Sequence, residues 1–152
     1  MQEGDCCWAI CVATVIGYLY YKETEDPKFD LSCQDILDRV WIYYEDEVRH
    51  KARDSKKCYR CKPGLGYTYV KNYGVGFLED YPFEKAPNEE KDEIDLKTEF
   101  PRVFTGEYRK LNEIQEVIDC LKKEKQAVIG AIQVTEAFVN YKKVSVYLTL
   151  SI

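Results

Sequence analysis

Two adjacent cysteines, Cys6 and Cys7, stand directly before Trp8 at the head of a long apolar run. A thiol at the start of a helix faces unpaired backbone N–H groups and the positive end of the helix dipole, which favours a thiolate and its nucleophilic chemistry. Cys58 and Cys61 form a Cys-x-x-Cys, the spacing of zinc and redox sites. A structural zinc needs four ligands, however, and the adjacent Cys6 and Cys7 would chelate awkwardly, so no metal and no cofactor is expected. The seven cysteines are an odd number and cannot all pair within one chain. Cys11, Cys33 and Cys120 read as small apolar residues inside helices, Cys11 packed in the core one turn after Cys7. Histidine occurs once, at His50, amid Glu47, Arg49, Lys51 and Arg53. That setting is a solvated charged face, and His50 reads as a surface residue.

The elements that would position these groups follow from periodicity. Residues 8–21 are almost wholly apolar, lack proline and exceed a typical strand, which predicts a buried helix. A second helix is expected over 31–49: Ser32 is a good N-cap, Asp35 lies three residues on in the manner of a capping box, and Leu31 and Ile36 hold the staple positions. Pro63, Gly64 and Gly66 mark a loop, followed by a short helix over 65–73 closed by Gly74. A strand is expected at 107–110. Asn112 then caps a helix over 112–123 with Gln115 at the box position and Ile114, Val117, Ile118 and Leu121 on one face. Residues 127–134, "AVIGAIQV", and the tail "VSVYLTLSI" have strand character. Helices first and strands later suggest an α+β arrangement.

Composition bounds the function. The 152 residues are 45% hydrophobic and 32% charged, with a net charge of −5 and both signs interspersed. No basic stripe offers a nucleic-acid surface, and no window approaches a membrane span. No basic segment followed by an apolar run opens the sequence, so no signal peptide is expected in these residues, and localisation stays open.

Several segments in order resemble papain-like cysteine proteases of the papain–cathepsin type. Gln2 followed by Cys7-Trp8-Ala9-Ile10 resembles the family's glutamine and its catalytic cysteine with Trp-Ala-Phe at the head of a central helix. "LSCQDILD" resembles Leu-Ser-x-Gln-x-Leu-x-Asp. "CKPGLG" stands where the family has Cys-Asn-Gly-Gly, "NYGVGFLEDYPFE" resembles Asn-Gly-Gly-x-x-x-Glu-x-Tyr-Pro-Tyr, and residues 103–134 resemble the strand, helix and strand that open the second lobe. The resemblance implies a papain-like fold, with a helical lobe at 1–104 and, at 105–152, only the first helix and strands of the β-barrel lobe. It implies Cys7 as nucleophile, Gln2 and the Cys7 backbone N–H as oxyanion-hole donors, Gly64 along the substrate cleft and Leu65 lining a subsite. Family members are mostly vacuolar, lysosomal or secreted.

The sequence departs from that pattern. Gln2 is one residue closer to the nucleophile than in the family, and Pro63 replaces a glycine of the cleft wall. The family's catalytic histidine and asparagine follow the strand matched at 127–134, and no histidine follows it here. A cysteine-type peptidase with weak or absent activity is therefore expected, acting on a peptide or protein. The alternatives are a pseudoprotease binding module, partnered by a peptide or a protease-inhibitor-like protein, and a small zinc or redox protein built on Cys58 and Cys61.

Overall fold

The computed structural model describes residues 6–48, 59–84 and 100–130. In chain order the elements are α1 (Cys7–Thr24), α2 (Cys33–Tyr43), α3 (Glu45–Val48), α4 (Pro63–Tyr73), β1 (Val75–Gly76), β2 (Arg102–Val103) and α5 (Ile114–Lys122). Helices α1, α2 and α4 pack together, and β1 pairs antiparallel with β2 in the register Val75 to Val103 and Gly76 to Arg102. Helices with a small sheet make this the α+β arrangement expected.

Helix α1 is the centre of the core. Trp8, Ala9, Val12, Ala13, Ile16 and Gly17 form its buried face, recurring at the three- and four-residue spacing that keeps side chains on one side of a helix. The helix ends where Glu25 takes a left-handed conformation at φ 56° and its N–H donates to the Tyr21 carbonyl. Cys7, Cys11, Thr14, Tyr18 and Tyr21 make an exposed stripe along the opposite side. Cys11 is thus exposed, where core packing was expected. Its four-residue offset from Cys7 keeps it on the outward face that Trp8 and Val12 turn away from the core.

Helix α2 begins as its sequence indicates. The Ser32 hydroxyl accepts from the Asp35 N–H at 3.0 Å, and the staple residues Leu31 and Ile36 are both buried. Asp35 does not close a capping box, because the Ser32 N–H donates instead to the Gly76 carbonyl at 2.9 Å. The expected single helix over 31–49 breaks at Tyr44, whose φ of −127° and ψ of 36° leave the helical region. Apolar periodicity continues through the break because Val48, on α3, is still fully buried.

Helix α4 takes in residues read as loop. Pro63 stands at its first position, where its missing N–H costs nothing. Gly66 belongs inside the helix because a Cβ there would lie 3.1 Å from the Trp8 ring and 3.2 Å from Val12. The glycine lets α4 lie close against α1.

Further expectations are corrected. Residues 107–110 form no strand; they are exposed coil, and the strand lies upstream at Arg102–Val103, where the edge at Val75 supplies hydrogen-bond partners. Helix α5 is capped by Glu113 rather than Asn112. Its box partner is Glu116, which accepts from the Glu113 N–H at 3.0 Å and the Asn112 N–H at 2.7 Å. These two N–H groups lower the Glu116 carboxyl below its usual range. On α5, Ile114 and Leu121 are exposed while Cys120 is buried. Residues 127–130 form no strand; 131–134, the tail, Gln2, His50 and Cys58 lie outside the described residues.

Candidate active site

Cys7 is the first residue of α1, and its side chain is exposed between the buried Cys6 and the buried Trp8. Trp8 fixes that orientation. Its indole Nε1 donates to the Tyr59 carbonyl at 2.9 Å, and its ring lies 5.5 Å from that of Tyr59. Tyr59 is itself held by its hydroxyl, which donates to the Leu37 carbonyl at 2.7 Å. The head of α1 is therefore pinned to α2 through a buried chain of two hydrogen bonds. With Trp8 turned inward, the 100° step of a helix carries Cys7 outward. The Ala9 N–H turns back to the Cys6 carbonyl at 3.0 Å, and the N–H groups of Cys7 and Trp8, at the first two helical positions, present partial positive charge to that sulfur.

Helix α4 supplies the neighbouring surface. Gly64 and Leu65 come together in a cleft of about 360 Å³, together with Glu47, Cys61, Thr68 and Tyr108. Cys7 does not line it; it stands on the adjoining helix, joined to α4 through the contact of Trp8 with Gly66. Tyr108 lines the cleft from the segment after β2. A Cβ on Gly64 would lie 2.7 Å from the Tyr108 hydroxyl oxygen, so a side chain there would push the Tyr108 ring aside. Tyr108 stacks on Tyr67 with ring centroids 5.4 Å apart, and Glu107 beside it forms an ion pair with Lys71. No periodicity signals Tyr108 in the sequence, since its segment is coil and meets α4 across some forty positions.

A buried charge network supports the far end of α4. Asp35 is fully buried and accepts from the Gly76 N–H and from Arg102 Nη2, both at 2.9 Å. Arg39 Nε lies 2.5 Å from Asp35 Oδ1, an ion pair at an angle that makes no hydrogen bond. Arg102 also donates to the Tyr73 and Gly74 carbonyls at 2.7 and 2.8 Å, a cation on the negative end of α4. Asp38 accepts from the Tyr81 hydroxyl at 2.7 Å and from Gln34 at 2.8 Å. Phe100 lies against both guanidinium groups. Among the described residues no three His, Cys, Asp or Glu side chains gather as a metal site, and no helix is long and apolar enough to cross a membrane.

Compared with known families, residues 2–150 match the model described as papain family cysteine protease. The chain belongs to the papain family of cysteine proteases. A solved structure from a study of antibody cross-reactivity between the mite allergens Blo t 1 and Der p 1 superimposes with a TM-score of 0.60 at 17% identity, over 81% of this chain and 39% of that one. At that identity the likeness is one of fold, and it makes the α+β architecture papain-like. The chain spans about two-fifths of that structure's length. No curated protein matches the sequence.

Within this papain-family fold, Cys7 and the Gly64–Leu65 surface lie on neighbouring helices, α1 and α4, that pack directly. Both are the candidates that the sequence singles out. The sequence does not signal Tyr108, nor the Asp35 network, in which Gly76 and Arg102 reach Asp35 from 41 and 67 positions away along the chain.

Proposed function

We propose that this chain carries the nucleophile of a cysteine peptidase, with Cys7 attacking the carbonyl carbon of a peptide laid along Gly64 and Leu65. The observation that carries the reading is the setting of Cys7: exposed at the first residue of α1, on a helix head pinned by the Trp8–Tyr59 hydrogen bond. The Cys7 backbone N–H and the Gln2 side-chain amide are the donors we assign to the developing oxyanion. Residues 1–104 form the lobe that bears the nucleophile, and 105–152 open a second lobe. The substrates are peptides or proteins.

Peptide hydrolysis also needs a group that takes the thiol proton and returns it to the leaving amine. These 152 residues contain one histidine, His50, in a run of charged neighbours. Loss of a positioned base costs about 10²–10⁴-fold in rate. We therefore read the 152-residue chain as binding peptide and reacting at Cys7 with weak or no turnover. The lone histidine equally favours a second reading, a non-catalytic peptide-binding module.

Cleavage of a fluorogenic dipeptide by the chain and by Cys7→Ser and His50→Ala variants tests this. The expected result is no cleavage above background, with peptide bound. Cleavage lost in Cys7→Ser alone establishes the nucleophile and a base other than His50. Cleavage lost in both variants makes His50 the base, against its reading as a surface residue. Cleavage that survives Cys7→Ser removes Cys7 from the chemistry.

A further inference from the structure

Cys7 and Cys11 are the two exposed cysteines among those described; Cys6 and Cys120 are buried, and Cys33 and Cys61 are half-buried. They stand one turn apart on the outward stripe of α1. An α-helix rises 1.5 Å per residue on a Cα radius of about 2.3 Å, which puts residues i and i+4 about 6 Å apart. That separation lies inside the roughly 4.4–6.8 Å that a disulfide spans between Cα atoms. The Cβ atoms of such a pair are about 5–6 Å apart, against roughly 3.5–4.5 Å in a disulfide, so closure requires a small shift at one end. The shift falls on the Cys7 side chain, at the first helical residue; Cys6 and Trp8 on either side are buried and Trp8 is bonded to Tyr59, so the bridge closes only under strain. The two sulfurs also feel one another: partial burial, and then the neighbouring Cys7, push the Cys11 thiol up.

We propose that Cys7 and Cys11 form a reversible thiol–disulfide couple, a redox modification site on α1 that takes a peroxide as its oxidant. The Cys7 thiolate attacks one oxygen of hydrogen peroxide and breaks the O–O bond, giving Cys7 sulfenic acid and hydroxide. The Cys11 sulfur then displaces the hydroxyl group, gives up its proton, and water leaves as the S–S bond forms. Two electrons pass from the two sulfurs to the peroxide, and an external thiol returns them. The Cβ mismatch makes the bridge strained and so readily reduced. Capture by Cys11 also stops Cys7 before the irreversible sulfinic and sulfonic stages. The couple stands on α1 alone; the inhibition it would impose on peptide chemistry rests on the reading of Cys7 as nucleophile.

The test treats the whole chain with a few equivalents of hydrogen peroxide, blocks remaining thiols with N-ethylmaleimide, and digests with chymotrypsin, which cuts after Trp8 and separates Cys7 from Cys11. The expected result is a linked pair of peptides, lost in Cys7→Ser and in Cys11→Ser and reversed by dithiothreitol. In Cys11→Ser, dimedone labelling of Cys7 should rise several-fold over the unmodified chain, because the sulfenic acid has lost its partner. A linked peptide that survives Cys7→Ser, a bridge from Cys7 to Cys33 or Cys61, or sulfinic acid at Cys7 with no bridge would each overturn the couple. A reversible bridge in a chain whose Cys7 takes up no peptidyl epoxide supports the couple while counting against the nucleophile reading. Epoxide labelling of Cys7 without any bridge overturns the couple alone.

Discussion

Replacing Asp35 by alanine perturbs the charge that the buried Arg39 and the half-buried Arg102 share. Asp35 is fully buried, Arg39 is 6% exposed, and the Arg102 side chain is 17% exposed. Removing the carboxylate leaves both cations in low dielectric without their counter-charge and strips the Gly76 N–H of its acceptor. Breaking a buried ion pair by deleting one partner costs about 3–5 kcal/mol, and the orphaned backbone donor overlaps with that loss. For a chain of this size each kcal/mol moves the melting temperature by about 2–4 °C, so Asp35→Ala should lower it by roughly 6–20 °C. Asp35→Asn keeps an oxygen for Gly76 and should lose less. Arg109→Ala, which breaks the exposed 2.6 Å pair with Glu124, should leave the melting temperature within experimental scatter. Circular dichroism melts and urea titrations of the three variants measure this. A loss below about 1 kcal/mol in Asp35→Ala would refute the reasoning, since it would mean that the two arginines do not depend on this carboxylate.

Two further outcomes follow from the same packing. Burial, then the charge of Asp35, pushes the Tyr69 hydroxyl up; burial, then the hydrogen bond to Asp38, does the same for Tyr81; and burial, then Cys11, brings Tyr67 up to about 12. The folded chain therefore holds these protons more tightly than the unfolded chain. The stability they add is complete below the unfolded value near 10 and is lost as pH rises above it. Phenolate absorbance should lag behind that of the exposed tyrosines, and Tyr69→Phe should raise the alkaline unfolding midpoint; an unchanged midpoint would count against this. Trp8→Phe keeps the ring and removes the donor to the buried Tyr59 carbonyl, with an expected loss of about 1–3 kcal/mol in urea; a variant as stable as the parent would show that α1 is not pinned there.

Much of the helical framework was legible because it rests on local signals. The apolar spacing of Trp8, Val12 and Ile16 and the Ser32 cap each act within a turn or two of their own position. The unread features depend on distant partners. Asp35 looks like a capping-box residue until Arg102 arrives from 67 positions away to claim its carboxylate. The segment 107–110 offers Tyr108 as a strand former but no edge to pair with among the described residues, while Arg102–Val103 has one at Val75. Gly66 reads as a loop former because its reason for being small is the Trp8 ring on another helix. Cys11 reads as core because the apolar run surrounds the whole helix, and composition does not tell its inner face from the outer one.

The central claim is that Cys7 is the reactive thiol of this papain-family chain. The most direct measurement incubates the protein with a peptidyl epoxide, an electrophile that alkylates a thiolate held beside a peptide-binding surface, and maps the adduct by mass spectrometry. The account predicts a single adduct on Cys7, slowed by excess peptide and absent in Cys7→Ser. An adduct on Cys11, even labelling of all exposed thiols, or labelling that persists in Cys7→Ser would contradict it.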